Sequence, residues 1–308
     1  MMQNVEKMSD SLLERLPSVR GSYRENVNLA KINWFNVGGN AQVVFRPQDV
    51  EDLSFFLKNK SDDIKVTVLG VGSNLLVRDG GIDGVVIRLG RGFTELKCEG
   101  TKLTAGAGAL SFNAAMYAAS GDIAGLEFLC GIPGTIGGAL FMNAGAYGSD
   151  VSSVLESAEI IDEAGNINTV TPSDIGYIYR GNTLPDGVIF TKGVFKGQHG
   201  KRVDIENRIN DITNARADTQ PIKSRTSGST FKNPDGKKAW QLIDEAGCRG
   251  MKIGGAQVSE KHCNFFINTG NATAEDIEKL GEEVRKRVKE TSGVELQWEV
   301  KIIGNKNT

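Results

Sequence analysis

The sequence has few cysteines and almost no net charge. Cys98, Cys130, Cys248 and Cys263 are far apart in a chain of 308 residues and include no CxxC pair. They therefore predict neither a disulfide framework nor a zinc site. A formal net charge of -2 argues against general nucleic-acid binding, which requires a strongly basic surface. The scattered cysteines are typical of a reducing compartment, and we expect a cytoplasmic protein.

The sequence also lacks a convincing membrane segment. Its first thirty residues contain no apolar block followed by a cleavage signal. The uncharged stretch from Phe128 to Ser149 is long enough to cross a bilayer. Its six glycines, Pro133 and Asn143 would nevertheless give a weak helix with exposed backbone. A tightly folded loop beside a ligand explains this stretch better, and we expect no membrane insertion.

Glycine is abundant, and its 38 residues indicate a fold rich in tight loops. In the first two hundred residues, β-rich runs near 36–45, 65–69, 85–89, 157–162 and 188–195 alternate with helical patterns near 5–16, 49–58 and 111–120. Ser111 is the expected cap of the last helix, and Gly121 is its expected end. We predict an α+β domain of residues 1–200, formed by two subdomains that divide near residue 88.

A second predicted domain covers residues 201–308. Its first helical segment runs to about Asp218, before Pro221. A later helix has Thr273 as its expected cap and Asp276 three residues further on. The chain ends in an alternating pattern that predicts a strand, with one face formed by Val294, Leu296, Trp298, Val300 and Ile302.

The segment Val68–Val77 combines a strand, a Gly-x-Gly-Ser-Asn loop and a second apolar run. Closely spaced glycines let backbone N–H groups converge on an anion such as a pyrophosphate. The segment is not a Rossmann fingerprint, because Leu75 replaces the third glycine and Asp79-Gly-Gly follows where a helix should continue. Taken alone, so short a motif is more often a plain turn.

A second glycine-rich segment, Gly131–Gly148, is more unusual. Small residues surround a few polar ones throughout it. One interpretation is a buried packing loop. The other is a surface where backbone lies against a flat, hydrogen-bonding ligand such as an isoalloxazine ring. The residues alone leave both interpretations open.

Further motifs follow these two segments in a fixed order. They are Gly228-Ser-Thr-Phe-Lys-Asn-Pro234, Ala239-Trp-Gln-Leu-Ile-Asp244, Gly254-Gly-Ala-Gln-Val-Ser259, Asn264-Phe-Phe-Ile-Asn268 and Leu296-x-x-Glu-Val300. Together with Gly70-Val-Gly-Ser-Asn-Leu-Leu and Gly131-Ile-Pro-Gly-Thr-Ile-Gly-Gly, they resemble the UDP-N-acetylenolpyruvoylglucosamine reductase family. The resemblance spans about residues 28 to 304. The length of the chain is similar to that of the shorter subtype, which lacks a tyrosine-bearing loop over the substrate.

The resemblance implies a vanillyl-alcohol-oxidase (PCMH) type FAD-binding domain, followed by a smaller α+β substrate-binding domain. It implies an FAD-dependent UDP-N-acetylmuramate dehydrogenase that reduces UDP-N-acetylglucosamine enolpyruvate, with NADPH as the hydride donor, in peptidoglycan precursor synthesis. Neither histidine, His199 or His262, lies in the flavin motifs, so we expect noncovalent FAD. The expected partners are these small molecules, and the protein is expected to be a monomer.

The resemblance also implies a set of binding residues. Those expected to bind FAD are Gly70, Gly72, Ser73, Asn74, Leu75, Gly131, Pro133, Gly134, Thr135, Gly137, Gly138, Asn143 and Gly145. Those expected to bind the substrate are Tyr147, Arg225, Lys232, Asn233 and His262, and no metal site is expected.

Three residues match the catalytic positions of the family. By resemblance, Arg180 supplies a cation, Glu299 assists it in protonated form, and Ser229 delivers a proton. Each has an ordinary alternative, namely a surface arginine, a solvated carboxylate and a serine that binds turn backbone. Gly181-Asn182 also departs from the continuation expected after Arg180. The rival interpretations of the whole chain are a flavin oxidase of the same fold and a binding protein that has lost catalysis.

Overall fold

The computed structural model describes residues 11–307. Its elements in chain order are β1 (Ser22–Asn28), β2 (Asn40–Arg46), α1 (Val50–Asn59), β3 (Val66–Val68), β4 (Leu75–Val77), β5 (Ile82–Ile87), β6 (Leu96–Glu99), β7 (Lys102–Gly106), α2 (Ser111–Ser120), β8 (Ile123–Ala124), α3 (Ile136–Met142), β9 (Gly145–Ala146), β10 (Ser149–Asp150), α4 (Val151–Val154), β11 (Leu155–Ile161), β12 (Ile167–Val170), α5 (Pro172–Ile175), β13 (Ile189–Lys196), β14 (Gln198–His199), α6 (Arg202–Thr219), α7 (Ala239–Glu245), β15 (Lys252–Ile253), β16 (Ala256–Val258), β17 (Phe266–Asn268), α8 (Ala274–Ser292) and β18 (Lys301–Ile303).

The first sheet has the strand order β1-β2-β5-β3. Strand β5 pairs in parallel with both β2 and β3. Helix α1 begins after Asp49, whose side chain accepts the Asp52 N–H, so the helix predicted at 49–58 is confirmed. The rings of Phe45 and Phe56 lie 4.6 Å apart in the core between this helix and the sheet.

The second sheet is antiparallel, with the order β12-β11-β13-β7-β6. Helices α2, α3 and α6 contribute Ala114, Leu140 and Ile209 to the same buried core. Because α6 packs on α2 and on the 3-10 helix Glu127–Gly131, it lies structurally with the first two hundred residues. The domain boundary near residue 200 and the division near residue 88 stay predictions.

Ser111 does not cap helix α2, so that prediction is wrong. Leu110 precedes the helix, and Ser111 is its first residue. The Ser111 N–H donates to the carbonyl of Gly134 at 3.0 Å, and within residues 11–307 its buried hydroxyl has no hydrogen-bond partner. Pairing with a distant loop therefore sets the start of this helix. Its predicted end at Gly121 is confirmed.

The C-terminal part packs helices α7 and α8 against the sheet β15-β16-β17. Helix α8 has the predicted capping box, because Thr273 and Asp276 each accept a backbone N–H from the other. The carboxylate of Asp79, in the first part of the chain, accepts the N–H groups of Ala274 and Glu275 at 3.0 Å. This carboxylate anchors the start of α8 to the loop that follows β4.

The predicted closing strand over residues 294–302 is largely wrong, since only β18 is regular. Strand β18 pairs in parallel with β4, while Trp298 makes an isolated bridge to Phe231. The 5–16 helix falls partly outside the described residues. Within them, Leu12–Arg15 forms a short 3-10 helix. Among residues 11–307, no helix is both long enough and apolar enough to span a membrane.

Candidate active site

A cavity of about 1140 Å³ runs between the two sheets and the C-terminal part. This is slightly above the roughly 300–1,000 Å³ common for ligand sites. Its wall includes most of the predicted cofactor residues: Gly70, Gly72, Ser73, Asn74, Leu75, Gly131, Pro133, Gly134, Thr135, Gly137, Gly138 and Gly145. All three predicted catalytic residues, Arg180, Ser229 and Glu299, also line it.

The first glycine loop, residues 70–74, connects β3 to β4. The Gly72 carbonyl accepts the Trp34 N–H at 3.1 Å. Within residues 11–307, the N–H groups of Val71, Gly72, Ser73 and Asn74 donate to no backbone carbonyl. Buried or half-buried N–H groups normally have partners, so consecutive amides left free at a cavity wall suit a ligand with many acceptors. A pyrophosphate has these acceptors.

The two glycine-rich segments meet in this wall. The Ser73 hydroxyl donates to the Pro133 carbonyl at 3.0 Å. A Cβ on Gly70 would lie 2.9 Å from the Thr135 Oγ1 atom, and one on Gly134 would lie 2.6 Å from Ser73 Oγ. The packing-loop and ligand-loop interpretations are therefore compatible. Glycine lets the segments touch, and the same bare backbone lines a cavity whose size and free donors fit FAD.

We expect Gly72→Ala to weaken FAD binding by at least about tenfold, or about 1.4 kcal/mol. Gly72 has a φ of +70°, and a Cβ there would lie 2.5 Å from the Asn33 Cα atom, so the loop must shift. Gly247→Ala is the matched control, because Gly247 has a φ of +68° with nothing within 4 Å. Fluorescence titration of both variants with FAD measures the difference. Equal affinities would contradict the assignment of the loop.

Helix α3 ends where the side chain of Arg180 is held. Asn143, with a φ of +43°, ends the helix. The Arg180 guanidinium donates to the carbonyls of Asn143 at 3.5 Å and Gly145 at 3.0 Å. Asn143 does not line the cavity, and its side chain binds the Ile178 carbonyl at 3.2 Å. Its visible contacts therefore support the segment that carries Arg180.

Arg180 itself has an unusual backbone. Its φ of +56° is a left-handed conformation that side chains other than glycine, asparagine and aspartate rarely adopt. Such strain occurs most often where a function requires it. The guanidinium Nε lies 3.0 Å from Oε1 of Glu299, and the two side chains are only 22% and 18% exposed. An ordinary surface arginine is therefore a poor description of this residue.

Both backbone polar groups of Glu299 and its carboxyl have hydrogen-bond partners. Its N–H donates to the Thr230 carbonyl at 2.8 Å, and its own carbonyl accepts from the side chain of Asn74 at 3.1 Å. Burial raises the pKa of its carboxyl, while the charges of Arg180 and Lys232 oppose this shift. The solvated-carboxylate interpretation is therefore wrong. The direction of this shift favours the protonated form of the carboxyl.

Replacing Glu299 by glutamine should stabilise the protein increasingly, relative to the wild type, as the pH rises. The pKa of this carboxyl in the folded state lies above the ordinary 4.5. Its contribution to the free energy of unfolding is therefore complete below pH 4.5 and is lost as the pH rises through the raised pKa. The amide does not titrate. Urea unfolding of Glu299→Gln and wild type across pH 4 to 8 measures this difference. A difference that stays constant or shrinks with pH contradicts it.

Ser229 lies in a short bridge to Phe265 and faces the cavity. Two residues earlier, the Ser227 hydroxyl donates to the Leu75 carbonyl at 3.2 Å. Ser227 therefore binds backbone, as serines in turns ordinarily do, and it ties this segment to the start of β4, directly after the first glycine loop. The backbone of the next residue, Thr230, accepts the Glu299 N–H. The predicted proton donor, Ser229, is thus next in sequence to Thr230, the residue that holds the backbone of Glu299.

The chain matches two family models and a close relative. Residues 41–171 match the FAD binding domain, and residues 220–303 match the C-terminal domain of UDP-N-acetylenolpyruvoylglucosamine reductase. The chain is 57% identical over 294 residues to the UDP-N-acetylenolpyruvoylglucosamine reductase of Parvibaculum lavamentivorans, which covers 96% of this chain and 95% of that protein. The chain belongs to the UDP-N-acetylenolpyruvoylglucosamine reductase family.

Solved structures agree with this family assignment. The UDP-N-acetylenolpyruvylglucosamine reductase of Thermus caldophilus is 34% identical, with a TM-score of 0.80 over 92% of this chain and 99% of that one. The 6-hydroxy-D-nicotine oxidase of Arthrobacter nicotinovorans, at 12% identity, has a TM-score of 0.54 over 94% of this chain and 90% of that one. It shares the fold alone. The predicted fold class, an FAD-binding domain followed by a smaller α+β domain, is confirmed.

The predicted substrate residues of this reductase are more scattered than its cofactor residues. Tyr147 lines the cavity, whereas Arg225, Lys232, Asn233 and His262 are absent from its wall. The Arg225 guanidinium donates to the Gly270 carbonyl at 3.3 Å, and the Asn233 side chain accepts the N–H at the start of helix α7 at 3.0 Å. His262 packs at 4.8 Å on Phe265, which lines the cavity. Their roles toward the substrate stay predictions.

Sequence reasoning did not select Arg216 or Arg88 in this reductase, although both line the cavity. Burial lowers the pKa of each guanidinium, and nearby Arg46 lowers that of Arg88 further. Arg216 donates to the Cys130 carbonyl at 3.4 Å. Periodicity does not reveal such residues, because each is brought inward by packing between distant segments. The available signal for Arg216 was its place in the last turn of α6, beside the motif cluster.

Proposed function

We propose that this chain reduces UDP-N-acetylglucosamine enolpyruvate to UDP-N-acetylmuramate, with NADPH as the hydride donor. Membership of the reductase family over 96% of the chain and the FAD binding domain confirm the predicted enzyme class, reaction and cofactor. The observation that carries the residue roles is the single cavity shared by Arg180, Ser229 and Glu299. The product is a precursor of peptidoglycan.

The carboxylate of the substrate is the group that Arg180 and Glu299 would bind. Hydride addition to the terminal carbon of an enol ether moves negative charge toward that carboxylate. A fixed cation stabilises this charge best where water is scarce. Arg180 is already oriented by Gly145 and Glu299, so little reorganisation is needed. A protonated Glu299 would add a donor without adding a second negative charge.

Ser229 would then deliver a proton to the carbon next to the ether oxygen, which completes the lactyl ether. A serine hydroxyl is a weak acid, so this role requires a strongly basic carbanion and close placement. The support is its position in the cavity wall, one residue from the Thr230 carbonyl that holds the Glu299 backbone.

FAD would be held by the two glycine-rich loops, with its pyrophosphate toward the free N–H groups of residues 71–74 and its ring toward the segment 131–138. When bound, FAD carries the hydride from NADPH to the substrate. The chain itself supplies binding, orientation and exclusion of water. Since neither histidine lies in these loops, we propose that FAD is bound noncovalently.

The substrate diphosphate needs further cations, and we propose Arg216 as one of them. Its guanidinium is half-buried in the cavity wall near Tyr147 and Cys130. Burial raises the pKa of both of these groups, which favours their uncharged forms, so neither neutralises the cation. A desolvated cation of this kind is best compensated by an anionic ligand. The residues implied by the family resemblance, Tyr147, Arg225, Lys232, Asn233 and His262, remain candidates for the other substrate contacts.

We further propose that one chain is sufficient for activity, in the cytoplasm. The supporting observation is that Arg180, Ser229 and Glu299 line one cavity within a single chain. Size-exclusion chromatography with light scattering of the active holoenzyme tests the monomer.

The test of the function is the visible spectrum of the purified protein, followed by NADPH oxidation, both anaerobically and in air, with and without UDP-N-acetylglucosamine enolpyruvate. A flavin spectrum with substrate-dependent oxidation and formation of UDP-N-acetylmuramate is the expected result. Flavin with NADPH consumption only in the presence of oxygen would instead favour an oxidase of the same fold. Flavin binding without turnover of either kind would favour a binding protein.

A further inference from the structure

The side chain of Asn74 makes a contact that its motif does not predict. Asn74 belongs to the glycine loop expected to bind FAD, yet its Nδ2 atom donates to the backbone carbonyl of Glu299 at 3.1 Å. Its own carbonyl accepts the Lys301 N–H at 3.0 Å. Asn74 is therefore hydrogen-bonded to both neighbours of Val300, namely Glu299 and Lys301, although Glu299 lies 225 positions away in the sequence.

We propose that Asn74 is a positioning residue for Glu299. Its side-chain amide ties the segment that carries the Glu299 carboxyl to the loop that would hold FAD. This inference rests on the proposed function. It concerns how the two halves of the site are kept in register, since one half binds the hydride carrier and the other binds the substrate carboxylate.

The regular pairing at this joint does not include Glu299. Strands β4 and β18 form a parallel pair, in register from Leu75 with Lys301 to Val77 with Ile303. Backbone hydrogen bonds then continue past the pair, from the Arg78 N–H to the Ile303 carbonyl at 2.9 Å and from the Gly80 N–H to the Asn305 carbonyl at 3.0 Å, which is away from Glu299. Residues 299 and 300 precede this pair and lie outside any strand. The Asn74 amide is the contact from the cofactor loop that reaches them.

The opposite side of Glu299 is also held. Its N–H donates to Thr230, beside Ser229, and its carboxylate meets Arg180 at 3.0 Å. Loss of the Asn74 side-chain contact would therefore leave the Glu299 backbone tied to the substrate side of the cavity and no longer tied directly to the cofactor loop. The nearest remaining bond to that loop, from the Lys301 N–H to the Asn74 carbonyl, is two residues further on. The expected result is a wrong distance between hydride carrier and substrate, with both ligands still bound.

The loop next to Asn74 is rigidly anchored, which allows the contact to transmit position. Just beyond β4, Arg78 makes two hydrogen bonds to Glu278 of α8, at 2.8 and 2.9 Å, and Asp79 accepts the first N–H groups of that helix. A positioning residue must itself be held in place by its surroundings. The contacts of Arg78 and Asp79 with α8 hold the segment next to Asn74, and the short Asn74 side chain passes that position on to Glu299.

The test uses Asn74→Ala holoenzyme in anaerobic stopped-flow measurements of the two half-reactions. Reduction of bound FAD by NADPH should change less than about twofold. Reduction of the enol ether should fall about tenfold to a hundredfold, the loss expected when reacting groups are displaced by about 1 Å. Asn305→Ala is the matched control, since its amide binds Asp83 at 2.8 Å on the exposed surface, and both its half-reactions should stay at wild-type rates.

A double substitution separates positioning from a general loss of order. In the Glu299→Gln background the backbone contact persists, but the carboxyl that Asn74 aligns is gone. Asn74→Ala should therefore cost less than about threefold more in that background. Fully additive losses, or a drop in FAD affinity as large as the drop in rate, would overturn the proposal. If the wild type itself fails to reduce the enol ether, the proposed function is what fails.

Discussion

Ser229→Ala is expected to lower the rate of enol ether reduction by about 10²–10⁴-fold, the usual contribution of a positioned general acid. FAD content and the rate of FAD reduction by NADPH should stay near wild-type values, because the proton is needed only after the hydride has moved. Single-turnover mixing of the reduced holoenzyme with UDP-N-acetylglucosamine enolpyruvate measures the affected step.

Ser229→Cys is the informative companion to that variant. A thiol can donate a proton from nearly the same position, so part of the lost rate should return. The absence of any difference between the alanine and cysteine variants would indicate a packing role. An alanine variant with a rate near that of the wild type would remove Ser229 from the mechanism altogether.

Arg180→Ala should lower the same half-reaction by about 10²–10³-fold, the range for removing one electrostatic stabiliser of a developing charge. The guanidinium sits 3.0 Å from both Glu299 Oε1 and the Gly145 carbonyl, so its loss leaves a buried carboxyl without its partner. Weaker substrate binding should accompany the lower rate. The measurement is the rate of enol ether reduction as a function of substrate concentration.

Arg180→Lys controls for charge and for backbone strain together. Lysine has the same left-handed strain as alanine at a φ of +56°, but it keeps a cation. Since an ammonium cannot reproduce the fork that bonds Glu299 and Gly145 at once, we expect recovery of only part of the rate. Equal rates for the lysine and alanine variants would show that geometry, rather than charge, is the whole contribution.

Local patterns predicted much of the regular structure. The capping box of Thr273 and Asp276 is complete within four residues, so the start of α8 needs no tertiary information. The strands near 157–162 and 188–195 appear as β11 and β13. By contrast, Ser111 was predicted as a cap and is not one, because the carbonyl of Gly134, far along the chain, captures its N–H.

The alternating pattern of polar and apolar residues gave the wrong environment for Glu299. Alternation placed it on the polar face of a long strand, where a carboxylate would be solvated. The segment is irregular at that point, because its partners are Thr230 and Asn74 rather than a continuous neighbouring strand. The Glu299 side chain is only 18% exposed and lies 3.0 Å from Arg180. Only the family motif, and not the pattern of polar and apolar residues, indicated its importance.

The sequence by itself therefore determined the family, the cofactor, the reaction and most of the helices and strands, because ordered motifs and local capping are written in consecutive residues. Tertiary structure alone decided that Ser73 meets Pro133, that Glu299 lies half-buried beside Arg180, and that Arg216 rather than Arg225 faces the cavity. These are contacts between distant segments, and their energies depend on burial and mutual orientation, which exist only once the chain has folded.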